Sequence, residues 1–219
     1  MRRFRPILIG AAALALAGCL ATVPKQGGIP EQGIAAIIVA GRFLTPAGET
    51  RSGSLHIDLD GEGGKWAEIY QLPILPHQSL LYQIEPGSYH LSPTRNIFGL
   101  AQTMLKVQIA GRSYRIPFPR EIWRRAALDI RPKKVVSIGV FEVLLQQPLP
   151  GQPPMVKVTL DDSLTSRRQI VQDIIHEMMD PAVATEKRDS AVAWSRALQN
   201  TLMELFSENE RAPLYKSGP

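Results

Sequence analysis

The chain of 219 residues contains one cysteine, Cys19. An intrachain disulfide is therefore excluded, and a redox-active cysteine pair is excluded with it. The N-terminal apolar run, residues 7–16, is well short of the roughly 20 residues that a spanning helix needs. The formal net charge is +5, and loss of the three arginines in residues 1–18 would reduce it to +2. A balance this close to zero predicts no nucleic-acid partner.

The first 18 residues have the three parts of a secretory signal. Three arginines within the first five residues precede the apolar run, which ends at the small residues Ala17 and Gly18. A cationic start, a short apolar core and small residues before a cut are typical of an exported protein. We therefore predict a signal peptide over residues 1–18.

Leu16-Ala17-Gly18-Cys19 resembles the lipobox of bacterial lipoproteins at all four positions. The resemblance implies diacylglycerol on the Cys19 thiol, cleavage between Gly18 and Cys19, and acylation of the new amino terminus. Two or more acyl chains hold a protein firmly at a membrane, whereas one chain binds marginally. Leu20 stands where enterobacterial lipoproteins kept in the inner membrane carry Asp, which implies the outer membrane, facing the periplasm. The alternative is an ordinary signal peptide followed by a chance cysteine.

The mature chain divides by composition into four parts. Residues 19–33 carry the cysteine and a Gly- and Pro-rich tether, whose span as a random coil is about 20 Å. Residues 34–160 show strand signals separated by turn dipeptides, which predict an antiparallel β-sandwich in a mainly β fold. The predicted strands are Ile34–Ala40, Ser54–Leu59, Trp66–Leu72, Ser79–Ile84, Ser88–Leu91, Thr103–Ile109, Ser113–Phe118, Val135–Leu145 and Met155–Leu160.

Residues 161–206 change to helical periodicity, which predicts a C-terminal helical hairpin. Asp161, Asp162 or Ser163 can cap the first helix. Asp180-Pro181 is the pattern of an N-cap followed by proline, and predicts the start of the second helix. Trp194 lies on the apolar stripe of that helix, so we expect it to pack on the sandwich. Residues 207–219 are predicted to be disordered.

Two segments between residues 34 and 145 resemble a broader domain pattern. Residues 84–91, Ile-Glu-Pro-Gly-Ser-Tyr-His-Leu, are similar to the strand–turn–strand signature of carboxypeptidase-regulatory-like and transthyretin-like sandwiches. Residues 135–141 resemble a later strand in lipoproteins that contain such domains. The resemblance implies an immunoglobulin-like or transthyretin-like sandwich in which Tyr89 points inward. It implies little about activity, because function depends on sites rather than folds.

The sequence offers no set of residues that we would assign to catalysis or to a metal. His176-Glu177 begins like the zinc-protease motif, but Asp180 stands where the second histidine is needed. The carboxylates of Asp58, Asp60 and Glu62 are better explained by a hairpin at Asp60-Gly61 than by a calcium loop. A serine elbow is also lacking. We therefore expect a non-enzymatic protein with neither metal nor cofactor.

The strongest surface signal is a basic segment between residues 120 and 134. It contains six cations opposed by two carboxylates, and Trp123 lies among them. A tryptophan flanked by arginines suits a membrane interface with anionic headgroups. The candidate binding residues are Trp123, Arg124, Arg125, Lys133 and Lys134. The alternative is a solvated loop or a strand edge protected by its charges.

These features together predict a lipid-anchored periplasmic interaction or envelope-maintenance module. Its partners would be the membrane, through the lipid on Cys19, and an envelope protein or anionic headgroups. A ligand-binding or glycan-binding lipoprotein is the alternative, since such sandwiches accompany sugar-handling machinery. An envelope hydrolase with scattered catalytic residues is a further alternative.

Overall fold

The computed structural model describes residues 25–26, 33–62, 69–76, 79–94, 102–125, 127–147, 150 and 154–207. The residues that resemble a lipobox and the predicted tail beyond Ser207 lie outside these residues. The strands are β1 (Lys25–Gln26), β2 (Ala35–Leu44), β3 (Gly53–Gly61), β4 (Ile69–Ile74), β5 (Ser79–Ile84), β6 (Gly87–Ser92), β7 (Met104–Ile109), β8 (Arg112–Pro117), β9 (Leu128–Ile130), β10 (Val135–Gln146) and β11 (Met155–Asp161). The helices are α1 (Arg120–Trp123), α2 (Leu164–Glu177), α3 (Thr185–Ala193) and α4 (Ser195–Ser207).

The strands form two sheets, which confirms the predicted mainly β fold and its sandwich layout. One sheet has the order β1-β5-β2-β10-β11, and the other has the order β8-β7-β3-β6-β9, with β4 paired to the second edge of β3. The prediction of purely antiparallel sheets is wrong at one place, because β2 and β10 pair in parallel. The chain can join two parallel neighbours only by a long connection, and here the whole second sheet lies between them in sequence.

The main core fills the space between the sheets. Leu55, Ile57 and Leu59 of β3 are fully buried there, as their predicted alternation requires. In β2 the odd-numbered residues from Ala35 to Val39 face the same core. The even-numbered residues, Ala36 to Ala40, face a second core beneath the helices. Burial on both faces explains why this strand is a continuous apolar run.

Helices α2, α3 and α4 cover the outer face of the β2-containing sheet, so the molecule has three layers. Trp194, at the junction of α3 and α4, is 1% exposed in the second core, which confirms that its stripe packs on the sandwich. The Ser163 hydroxyl accepts a hydrogen bond from the Ser166 backbone N–H, which confirms one of the three proposed caps. The predicted hairpin is wrong in its detail, since three helical segments follow the sheets.

The predicted start of the second helix at Asp180-Pro181 is wrong. Asp180 Oδ1 accepts a hydrogen bond from the Ala182 backbone N–H at 2.8 Å, which stabilises a turn instead of a helix. Helix α3 begins four residues after the proline, at Thr185. A side-chain acceptor two residues away competes with helix formation, so the Asx turn prevailed over the proline signal.

Two further boundaries differ from the sequence prediction. The turn expected at Asp60-Gly61 is displaced, because Asp60 still pairs with Ile69 and the connection between β3 and β4 is longer. Strand β4 is shifted toward Ile74, and the predicted Trp66 start lies outside the described residues. The short elements β1, α1 and β9 were not predicted. Strands β1 and β9 pair with β5 and β6, which are distant in sequence.

The turn resembling the transthyretin-like signature joins the two sheets. Strand β5 ends at Ile84 in one sheet, and β6 begins at Gly87 in the other. Tyr89 is 3% exposed, which confirms that it points inward. Its hydroxyl donates to the Glu85 carbonyl at 2.9 Å, and its ring packs edge-on against Tyr70. The turn is therefore tied to the core by an aromatic pair.

Candidate functional site

A cleft of about 430 Å³ lies between the start of β10 and the end of α4. We call it the α4 cleft. Strand β9 and the turn after it form one wall, and α2 contributes to the floor. The lining residues are Leu128, Asp129, Arg131, Lys134, Val135, Val136, Ser137, Arg167, Thr201, Glu204 and Leu205.

Arg167 is the unexpected residue of the α4 cleft. It is 5% exposed, and its Nε donates to the Ser137 carbonyl at 3.1 Å. The Ser137 hydroxyl donates in return to the Arg167 carbonyl at 2.9 Å. A buried cation needs such acceptors, because an uncompensated buried charge costs several kcal/mol. The reciprocal pair ties α2 to β10 and places a guanidinium at the cleft.

The rim of the α4 cleft is closed from the α4 side. The Thr201 hydroxyl donates to the Val135 carbonyl at 2.8 Å, which attaches the buried face of α4 to β10. One turn later, Glu204 forms an ion pair with Lys134. The lining of the cleft as a whole contains three cations and two carboxylates. This composition suits a small polar or anionic ligand, because the attraction between opposite charges is stronger in a cleft that holds less water.

The structure separates the predicted anionic-surface residues into two groups. Trp123 is the last residue of the short helix α1 and Arg124 is its C-cap. Trp123 is 53% exposed and packs edge-on against Phe118. Arg125 turns inward instead. Its guanidinium forms an ion pair with Asp162 and donates to the Leu160 carbonyl, so it fastens α1 to the end of β11. That role stabilises the fold and leaves less of its charge for a partner.

Lys133 and Lys134 lie apart from α1, in the turn between β9 and β10. Lys133 is exposed, with φ of 58°, and its backbone N–H donates to the Ile34 carbonyl at 2.8 Å. Lys134 is engaged by Glu204 at the α4 cleft. Arg131 is exposed in the same turn and lies 3.8 Å from Asp129. This turn, and not α1, therefore carries the exposed cations nearest to the cleft.

A second groove, of about 340 Å³, lies where the edge strands β8 and β11 of the two sheets meet. Its walls are mostly apolar, with Tyr114, Ile116 and Val158 among them, and Met155 at its side is 59% exposed. Arg115 and Lys157 add positive charge. Two strand edges beside an apolar groove could accept an extended segment.

The metal hypotheses gain nothing from the geometry. Asp58 is fully buried in β3, whereas the exposed Glu62 pairs with His90 at 2.5 Å. The two carboxylates therefore lie in different environments. His176 is exposed at the last turn of α2, and Asp180 lies beyond that helix. Among the described residues, no group of three metal-ligating side chains converges.

The sequence reasoning missed Arg167 and Thr201. A signal was present for Arg167, because it lies three, four and seven residues before Ile170, Val171 and Ile174, the buried positions of α2. An arginine at a stripe position is a candidate for a buried, paired cation. Thr201 holds the corresponding position on α4, between Leu198 and Leu205.

No described helix is both long and apolar enough to cross a membrane. Comparison of the chain with known protein families and with curated proteins finds no match.

Proposed function

We propose that this chain is a lipoprotein of the bacterial envelope, held at a membrane by lipid on Cys19. The observation that carries the proposal is Leu16-Ala17-Gly18-Cys19, placed directly after a cationic and apolar leader. Cys19 is the only thiol in the chain, which suits a residue reserved for modification. Leu20 supports placement in the outer membrane, with the folded part in the periplasm.

The folded part, in this proposal, is a non-enzymatic interaction or envelope-maintenance module. Its three layers present a polar cleft and an apolar groove, both on the surface that a partner could reach. We assign the sandwich to the transthyretin-like type on the turn from Ile84 to Gly87. The inward Tyr89 and its bond to the Glu85 carbonyl support that assignment.

The lipidation test uses the full chain expressed in a bacterium that acylates lipoproteins. The expected product starts at Cys19 and carries diacylglycerol and an N-linked acyl chain, detected by intact mass. Globomycin, which blocks lipoprotein signal cleavage, should make the larger precursor accumulate. Cys19→Ala should abolish both results. A mature chain that starts elsewhere, or that has a free thiol at Cys19, would contradict the proposal.

A second candidate function is the binding of a polar ligand, such as an acidic glycan, in the α4 cleft. The buried Arg167 and the excess of one cation in the lining favour it. Acidic oligosaccharides should then raise the melting temperature saturably, and neutral ones should not. Arg131→Ala with Lys134→Ala should remove the shift without unfolding the chain. No shift with any acidic oligosaccharide would count against this function.

A further inference from the structure

The pairing of β1 shows where Lys25 lies along the sheet. Strand β1 runs antiparallel to β5, with Lys25 opposite Gln83 and Gln26 opposite Tyr82. Lys25 is therefore the residue of β1 that lies nearer to the end of β5, where the turn into β6 begins. The tether predicted over residues 20–33 is thus paired with the sheet at Lys25 and Gln26.

One end of the sandwich collects that turn and the turn between β9 and β10. Ile84 pairs with Ala35 at the start of β2, and Ala36 pairs in turn with Val135 at the start of β10. In the other sheet, Gly87 pairs with Ile130 at the end of β9. We call this end, formed by residues 85–86 and 131–134, the anchor end.

The distance from Cys19 to the anchor end is limited by covalent geometry. Lys25 lies six positions after Cys19, and a fully extended chain of six residue steps spans at most about 20 Å. Strand β10 alone, with 12 residues, extends about 40 Å along the sandwich. Lipid on Cys19 would therefore keep the anchor end close to the bilayer and leave the other end out of reach.

The anchor end carries exposed cations suited to lipid phosphates. Lys133 is exposed and has no acidic partner among the described residues. Arg131 is exposed as well, and its contact with Asp129 is long, at 3.8 Å. Glu85 and Asp129 are exposed carboxylates at the same end. Phe206, in the last turn of α4, is 59% exposed and could add apolar contact.

We propose that the domain stands on the membrane by its anchor end, with Arg131 and Lys133 against anionic phosphate headgroups. The proposal rests on lipidation of Cys19, as given above. It places the membrane-facing cations in the turn between β9 and β10, and not on α1. The opposite end of the sandwich, which includes the turn between β7 and β8, would face the periplasm.

The orientation can be measured by energy transfer in vesicles that contain the lipidated full chain. Pro132→Cys at the anchor end and Arg112→Cys at the opposite end each introduce a thiol for a maleimide dye. Because the Cys19 thiol is acylated, the dye reacts only at the introduced cysteine. Headgroup-labelled lipid is the acceptor. Efficiency should be roughly twofold higher or more for the Pro132 site, since the strands between the sites span about 30 Å. Equal efficiencies, or a higher value for the Arg112 site, would overturn the orientation.

The headgroup contact is tested with charge reversals in the Pro132→Cys background. Arg131→Glu with Lys133→Glu should lower the efficiency on vesicles that contain phosphatidylglycerol. The matched control is Arg112→Glu with Arg115→Glu on β8, the edge strand farthest from β9 in that sheet. It changes the charge equally and should leave the efficiency unchanged. An equal effect of both pairs, or of neither, would overturn the contact.

Failure of the anchor and failure of the orientation give different results. If Cys19 is not acylated, the unsubstituted chain takes up maleimide and does not remain with the vesicles, and the proposed function fails. If the chain remains with the vesicles but the two dye sites are equally distant, only the orientation fails.

Discussion

Gly139 shows how one residue can set which side chains of a strand face each of two cores. Its φ is 124°, and the register between β2 and β10 shifts between Ser137 and Gly139. The shift puts Ile138 in the core between the sheets and Val140 in the core under the helices. An irregularity of this kind changes the face of the sheet to which the following side chains point. Glycine can adopt the positive φ that the irregularity requires here.

Gly139→Ala should lower the free energy of unfolding substantially. An added Cβ would lie 2.4 Å from the Asp161 carbonyl oxygen, and the backbone angle is unfavourable for any L side chain. The expected loss is about 3 kcal/mol, from strain and steric overlap together. Gly48→Ala is the matched control, because its φ is 79° but nothing lies within 4 Å of the added Cβ.

The control should lose only about 1 kcal/mol, the cost of left-handed backbone. Urea unfolding followed by circular dichroism measures both losses. Equal losses in the two variants would mean that the approach of Asp161 to Gly139 has no energetic consequence.

At the scale of elements, the start of α2 is organised by the carboxylate of Asp161. Burial raises the pKa of Asp161, but hydrogen bonds from Ser166 and Ser163 and the charge of Arg42 outweigh it, and the pKa is lowered overall. Asp161 Oδ1 accepts from the Ser163 backbone N–H at 3.1 Å, and Oδ2 accepts from the Ser166 hydroxyl. Charge at this point also suits the positive end of the helix.

The lowered pKa makes this contribution depend on pH. A carboxylate with a lower pKa in the folded state stabilises the fold above its unfolded value of 3.8, and the gain disappears as pH falls through the folded value. Asp161→Asn keeps the shape but does not titrate. At pH 7 the native chain should be more stable than Asp161→Asn. The difference should be less than about 1 kcal/mol, because solvent screens the charge of Asp161.

The stability gap between native chain and Asp161→Asn should close as pH falls below 3.8. Urea midpoints of the two chains across that range measure it. A gap that is constant with pH would show that the charge of Asp161 has no part in stabilising α2.

For the whole molecule, the helices act as a third layer and not as an appendage. The second core joins α2, α3 and α4 to the outer face of β2, β5 and β10. Its contacts include the hydrogen bond from Thr201 to Val135 and the pairing of Arg167 with Ser137. We therefore expect the helices and the sheets to unfold together.

Trp194→Ala tests this cooperativity. Trp194 is 1% exposed, so its truncation should cost about 3–5 kcal/mol. Trp123→Ala is the matched control, because Trp123 is 53% exposed and should cost less than about 1 kcal/mol. Thermal unfolding followed by circular dichroism should give one transition for each variant. Similar losses for both tryptophans, or separate transitions of helix and sheet, would contradict a three-layer unit.

Local patterns allowed a large part of the fold to be predicted from the sequence. Alternation identified β3, and the change of period near residue 161 identified α2 and its cap at Ser163. These features depend on residues that are neighbours along the chain. The break at Asp180 escaped prediction, because a competing turn decided it.

The candidate site was less accessible to sequence reasoning. The basic segment could be identified, but not that Arg125 pairs with Asp162 while Lys133 stays exposed, since partners 30 or more residues away decide this. The stripe position of Arg167 marked it as a candidate for burial, but its pairing with Ser137, 30 residues away, could not be predicted.

What the sequence alone determined is the resemblance of residues 16–19 to a lipobox and the alternation that builds two sheets, because both depend on short stretches of chain. Only the tertiary structure decided that β2 lies beside β10 in parallel and that β1 pairs with β5. It also decided that the cations of the turn between β9 and β10 lie at the anchor end, the end of the sandwich nearest to Lys25. Those features arise from contacts between distant segments, which local propensity does not specify.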